Sequence, residues 1–92
     1  MGFFFIAMIF TVYVLYSIKF NKIYVGYTSD LEQRLLSHNA FATKGYTIKY
    51  RPWEVLFTEQ FGSKTEATKR EKQLKSGVGR EMIWNLIRRN ES

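Results

Sequence analysis

Two short runs rich in β-branched and aromatic residues, Thr11-Val12-Tyr13-Val14-Leu15-Tyr16 and Ile23-Tyr24-Val25-Gly26-Tyr27, stand on either side of a polar interruption, Ile18 to Lys22. Such residues favour extended backbone, and an interruption this short joins neighbouring strands, so the pair reads as a β-hairpin. Loop parity then decides where the tyrosines point. An even loop, such as Lys19 to Lys22, places Tyr13 and Tyr24 on one face, and an odd loop separates them. Gly26 inside the second strand predicts a bulge or a close approach by another backbone or a ligand.

A helix is expected directly after the hairpin. Ser29 with Glu32 has the spacing of a capping box, in which each side chain satisfies an orphaned backbone donor. Leu31 and Leu35 share one face, while Arg34 and His38, also four apart, form a polar stripe. This helix is expected to end near Asn39. Phe41 to Pro52 is polar, basic and aromatic, with Gly45 as a breaker, and reads as a loop or a ragged helix and loop. Trp53 to Gln60 reads as a third strand.

A second capping-box spacing, Ser63 with Glu66, opens a helix running to Lys75 or Ser76, with Gly77 and Gly79 as its breakers. Its apolar positions are few, Ala67 and Leu74, and Glu71 lies between them on the same stripe. A carboxylate there must be paired, metal-bound or near solvent. Met82, Ile83, Leu86 and Ile87 give a short last helix over Arg80 to Ile87, followed by a tail. The order β-β-α-β-α-α means an α+β fold with a small three-stranded antiparallel sheet flanked by helices.

Ninety-two residues make one domain. Without cysteine, disulfides and thiolate metal sites are excluded, which fits a cytoplasmic protein. The net charge of +6 favours a polyanionic partner, nucleic acid or an anionic membrane surface. Lys64 to Arg80 carries six basic residues against Glu66 and Glu71, and Phe41 to Pro52 carries Lys44, Lys49 and Arg51 with no acid. Met1 to Ile18 is uncharged and at the lower limit for a membrane span. Its second half is strand-like, however, and Met1 to Phe10 as a helix spans only about 15 Å of a roughly 30 Å hydrocarbon core. Residues 1–9 are therefore expected to be an N-terminal extension, with Met8 an alternative start, followed by one domain over 10–88 and a tail over 89–92.

Thr11-Val12-Tyr13, Tyr24-Val25-Gly26, the run from Gly26 through Gln33-Arg34-Leu35 to His38-Asn39, Arg51-Pro52-Trp53 and the helix Glu66 to Lys75 occur in this order over nearly the whole chain. Together they resemble the GIY-YIG nuclease family in its small stand-alone bacterial form. The resemblance implies divalent-metal-dependent endonuclease chemistry on DNA, in repair or on structured substrates, with Mg²⁺ or Mn²⁺ as the cofactor and no small-molecule cofactor. By the same resemblance Glu71 is the metal ligand and Arg34 contacts the scissile phosphate. Tyr13 and Tyr24 are the signature tyrosines, one of them orienting or deprotonating the attacking water, and His38 is the other base candidate. Tyr27, Lys44, Lys49, Arg51, Lys69, Lys72, Lys75 and Arg80 are then expected along the nucleic acid. The chain departs from the pattern at Thr11, which replaces a glycine, at Val12 and Val25, which replace isoleucines, and at Tyr27, where the repair branch carries a lysine.

Taken singly, each residue has a plainer explanation. The tyrosines could pack across strands, Glu71 could pair with Lys75 one turn on, and the lysines could be a solvated face. The competing functions are a binding module of the same fold with weak or lost chemistry, and a membrane-associated protein driven by the N-terminal run.

Overall fold

The computed structural model describes residues 8–41, 43 and 45–91. Strand β1 (Phe10–Ser17) pairs antiparallel with β2 (Lys22–Thr28) on one side and β3 (Glu54–Phe61) on the other, giving the order β2-β1-β3. The expected α+β architecture is therefore observed. The hairpin loop is Ile18 to Asn21, closed by Asn21 in the left-handed region at φ 54°, which asparagine tolerates better than most residues. Its even length opposes Leu15 to Tyr24 and Tyr13 to Gly26, so both tyrosines share a face. The even alternative is thus the one observed, with the loop one residue nearer the start of the chain than Lys19 to Lys22.

Side chains alternate across the sheet, and each face has its own core. Val12 and Val14 point to one face and pack with Ile23 and Val25 against Ala67 and Leu74 of α3 (Lys64–Lys75) and Ile83 and Ile87 of α4 (Gly77–Glu91). Fully burying an aliphatic side chain contributes about 1.5–3 kcal/mol, so this face dominates the stability. On the opposite face Tyr13, Leu15 and Trp53 form a smaller, more aromatic core. Against it pack Leu31 and Leu35 of α1 (Leu31–Leu36), together with Tyr24 and Tyr50. A π-helical turn (Ser37–Phe41) and the short helix α2 (Tyr46–Lys49) follow α1.

Several local expectations are corrected. The cap of α1 is Asp30, which accepts from the Gln33 backbone N–H at 3.1 Å, so the Ser29–Glu32 capping box does not form. Thr28 Oγ1 instead accepts from the Asp30 backbone N–H at 3.0 Å, moving the helix start one residue on. Regular helix stops at Leu36, earlier than Asn39, because the chain widens into the π turn that turns His38 inward.

Ser63 caps α3 as expected, accepting from the Glu66 N–H at 3.2 Å. The break after α3 is the single residue Ser76, and both glycines lie inside the first turn of α4. Gly79 is needed there for closeness, since a Cβ would sit 2.1 Å from the Gln73 carbonyl oxygen and 2.6 Å from Leu74 Cα. The last helix starts earlier and ends later than its apolar positions suggest, reaching Glu91 where a tail is expected. A bidentate Arg70–Glu59 pair at 2.6 and 3.1 Å ties α3 to β3. The expected extension, apart from the exposed Met8 and Ile9, lies outside the described residues. No described helix is long and apolar enough to cross a membrane.

Candidate active site

An open cleft of about 390 Å³ lies where β2 forms the edge of the sheet. Residues from both faces reach it. Tyr13, Tyr24 and Arg34 come from the side of the aromatic core, whereas Phe10, Tyr27, Lys64 and Glu71 come from the side of α3. The edge strand is what lets a side chain on α3 meet tyrosines that point away from it. Glu71 keeps 17% of its side chain exposed, and Lys75 Nζ lies 3.6 Å from it. Both the cleft and the plainer i, i+4 pairing thus apply to this carboxylate.

Gly26 makes the floor. Its backbone passes directly beneath the Tyr13 ring, and a Cβ would lie 2.6 Å from the Tyr13 hydroxyl oxygen and 3.1 Å from Tyr24 Cε1. The close approach expected at this glycine is therefore made by a side chain, and the one register irregularity falls elsewhere, at Val14/Leu15 against β3.

Tyr13 is 1% exposed, and its hydroxyl lies 2.9 Å from His38 Nε2. His38 is itself buried at 6% and does not line this cleft. Its Nδ1 lies 3.0 Å from Thr47 Oγ1, the Thr47 carbonyl accepts from Trp53 Nε1 at 2.7 Å, and the Asn39 amide bonds both the backbone N–H and the carbonyl of Trp53. Arg51 donates to the His38 and Ser37 carbonyls at 2.6 and 3.1 Å, bracing the π turn. Every polar link behind Tyr13 is satisfied, so the imidazole has one orientation.

Burial pushes the Tyr13 phenol up to about 12, with Tyr24 adding to the effect, and these outweigh the pull of the Arg34 guanidinium in the other direction. The cation that would have to lower this phenol's pKa is present and does not prevail. His38 is shifted below its ordinary range by burial first, then by Arg34 and Arg51, so at neutral pH it is a neutral imidazole able to accept a proton.

Of the expected nucleic-acid contacts, Tyr27 lines the cleft, and Lys69 and Lys72 are exposed on α3 beside Lys64. Lys75 faces Glu71, Lys49 is exposed on α2, and Arg80 is exposed at the start of α4. Lys44 lies outside the described residues. The sequence reading missed Lys64 in the cleft wall and the positioning pair Thr47 and Trp53. Lys64 could have been found as the first residue of the capped helix that carries Glu71. Thr47 sits in a stretch without periodicity and gave no signal.

The GIY-YIG catalytic domain model matches residues 9–83. The chain belongs to the GIY-YIG family. This is a family of nucleases, which act on nucleic acids and generally use divalent metals. The chain is 41% identical over 58 residues to a UPF0213 protein of Staphylococcus haemolyticus, covering 63% of this chain and 71% of that one. It is 39% identical over 72 residues to a UPF0213 protein of Listeria monocytogenes, covering 78% and 81%. The solution NMR structure of a UPF0213 protein from Bacillus halodurans superposes with a TM-score of 0.52 at 32% identity, covering 86% of this chain and 85% of that one.

Glu71 is the one acid lining the GIY-YIG cleft, and the described residues contain no cluster of three or more His, Cys, Asp or Glu that could hold an ion unaided. Mg²⁺ retains several waters and is commonly held by one or two carboxylates together with substrate phosphates. A single, partly exposed carboxylate opposite Arg34 suits that mode of binding.

Proposed function

We propose that the protein is an endonuclease that hydrolyses DNA phosphodiester bonds with Mg²⁺ or Mn²⁺ held by Glu71, acting on structured DNA or in DNA repair, in the cytoplasm. One observation carries this reading. Tyr13, Tyr24, Arg34 and Glu71, which are far apart in the chain, line a single cleft, with a neutral histidine hydrogen-bonded behind Tyr13.

In this reading Arg34 binds the scissile phosphate, its forked cation complementing charge that grows on the phosphoryl oxygens. A divalent ion on Glu71 would supply further neutralisation at the same phosphate. Tyr24, stacked 6.2 Å from Tyr13, bounds the position of the attacking water. Because its phenol is protonated at rest, Tyr13 acts as a relay. It accepts the water's proton as its own passes to His38 Nε2, with the imidazole's Nδ1–H held on Thr47 Oγ1. His38 therefore works through Tyr13 and not directly on water.

The weaker-chemistry reading, a binding module, draws on the Glu71–Lys75 pair and on the raised Tyr13 phenol. Substituting Glu71→Gln separates the two. With Mg²⁺ present, the parent should cleave at least one of flap, fork, junction or plain duplex well above the variant. Equal, background-level cleavage of all four would refute the enzyme.

A further inference from the structure

A second cleft, of about 310 Å³, adjoins the first, and Tyr24 and Arg34 line both. Beyond Tyr24 the rings continue. Tyr46 stacks at 6.4 Å from Tyr24, Tyr50 lies 4.9 Å from Tyr46, and Phe20 meets Tyr50 edge-on at 5.6 Å. Tyr46 is 47% and Phe20 39% exposed, so both rings remain accessible from solvent. Lys19 sits over the Phe20 ring at 5.3 Å and Lys22 over Tyr50 at 5.4 Å. No acidic residue occurs from Thr11 to Ser29 or from Gln33 to Trp53, the two segments that build this surface.

Aromatic faces alternating with cations, and free of acids, are what a single nucleic-acid strand requires. Bases stack on rings of any identity while the cations neutralise the backbone. Duplex DNA keeps its bases inside and offers such rings nothing. We propose that this track binds single-stranded DNA leading out of the cleft, with one base on Tyr46 and another on Phe20. The substrate class is then DNA carrying a single-stranded arm next to the scissile phosphate. The assignment deepens the nuclease reading and rests on it for the position of that phosphate, while binding of the strand itself does not depend on cleavage.

Binding is measured first, by fluorescence anisotropy with a labelled ten-nucleotide oligo-dT in chelator, where no metal-dependent cleavage occurs. Phe20→Ala combined with Tyr46→Ala should weaken binding about tenfold or more, since stacking on a single ring carries much of a base's affinity. Tyr46→Trp, which keeps a stacking face, should bind like the parent, and circular dichroism checks that each variant is folded. A change of less than twofold in the double variant, or tighter binding of oligo-rU than of oligo-dT, overturns the proposal. In Mg²⁺ the parent should cleave a duplex with a single-stranded arm faster than a blunt duplex, and the double variant should lose that preference. If oligo-dT binding responds to the substitutions but the parent cleaves nothing, the nuclease reading fails and the track stands. If the parent cleaves but binding is unaffected by the substitutions, the track fails and the nuclease stands.

Discussion

Gly26→Ala adds one methyl group at the floor of the candidate active-site cleft, and the sign of its effect tests the packing around Tyr13. Glycine inside a strand ordinarily costs about 0.5–1 kcal/mol relative to alanine, so without a clash the substitution would stabilise the protein. Here the new Cβ would lie 2.6 Å from the Tyr13 hydroxyl oxygen and 2.8 Å from Cζ. Ordinary contacts begin near 3.5 Å, so the ring tip must retreat by roughly 0.9 Å. It has little room to do so, being 1% exposed and bonded to His38 at 2.9 Å. Overpacking of this kind costs about 1–3 kcal/mol, and disturbing the buried hydrogen bond adds about 1 kcal/mol. Urea unfolding at constant m-value should therefore show a loss of about 2–4 kcal/mol. Shortening the ring in Tyr13→Leu makes space, so the same glycine substitution in that background should be nearly neutral or stabilising. Equal costs in the two backgrounds, or a gain in the parent, would refute the packing argument.

The remaining predictions concern other elements. Gly79→Ala sets a Cβ against the backbone of Gln73 and Leu74, which cannot swing aside, so thermal unfolding should fall by more than about 10 °C. His38 has a folded pKa below its unfolded value of 6.5, so the unfolded chain binds this proton first on acidification. Its contribution is fully present above pH 6.5 and is lost as the pH falls from there through the depressed folded value. Stability measured across that window should decline in the parent and lose that part of the slope in His38→Gln. Arg34→Lys keeps the charge but not the fork, and should lower kcat about a hundredfold on a cleaved substrate while leaving the unfolding midpoint nearly unchanged.

Much of the fold was legible because its signals are local. Alternating β-branched residues gave the strands, an even loop gave the shared face of Tyr13 and Tyr24, and Ser63 with Glu66 gave the start of α3. Local signals also misled. Ser29 and Glu32 have capping-box spacing, but Asp30 competes for the same role and wins. Gly77 and Gly79 look like helix breakers when read in one dimension. In three dimensions Gly79 is small because α4 begins against the end of α3, a packing constraint that leaves no periodic trace. Thr47 and Trp53 were invisible as site residues for a related reason, since Thr47 meets His38, and Trp53 holds Thr47, only once the chain between them is folded.

The same distinction decides where His38 lies. On a helix wheel His38 belongs with Arg34 on a polar, solvent-facing stripe, where an imidazole would meet water directly. The π turn removes it from that stripe: Arg34 remains exposed at the mouth of the cleft, while His38 is turned under Tyr13 and hydrogen-bonded to Thr47. In the proposed mechanism this wider turn divides two neighbouring polar residues between two tasks, a cation facing the phosphate and a base reached through a phenol. Burial keeps the imidazole neutral and the phenol protonated, which is the pair of states a relay requires before the water arrives. Straightening the turn would return His38 to solvent and leave the buried Tyr13 phenol without its acceptor.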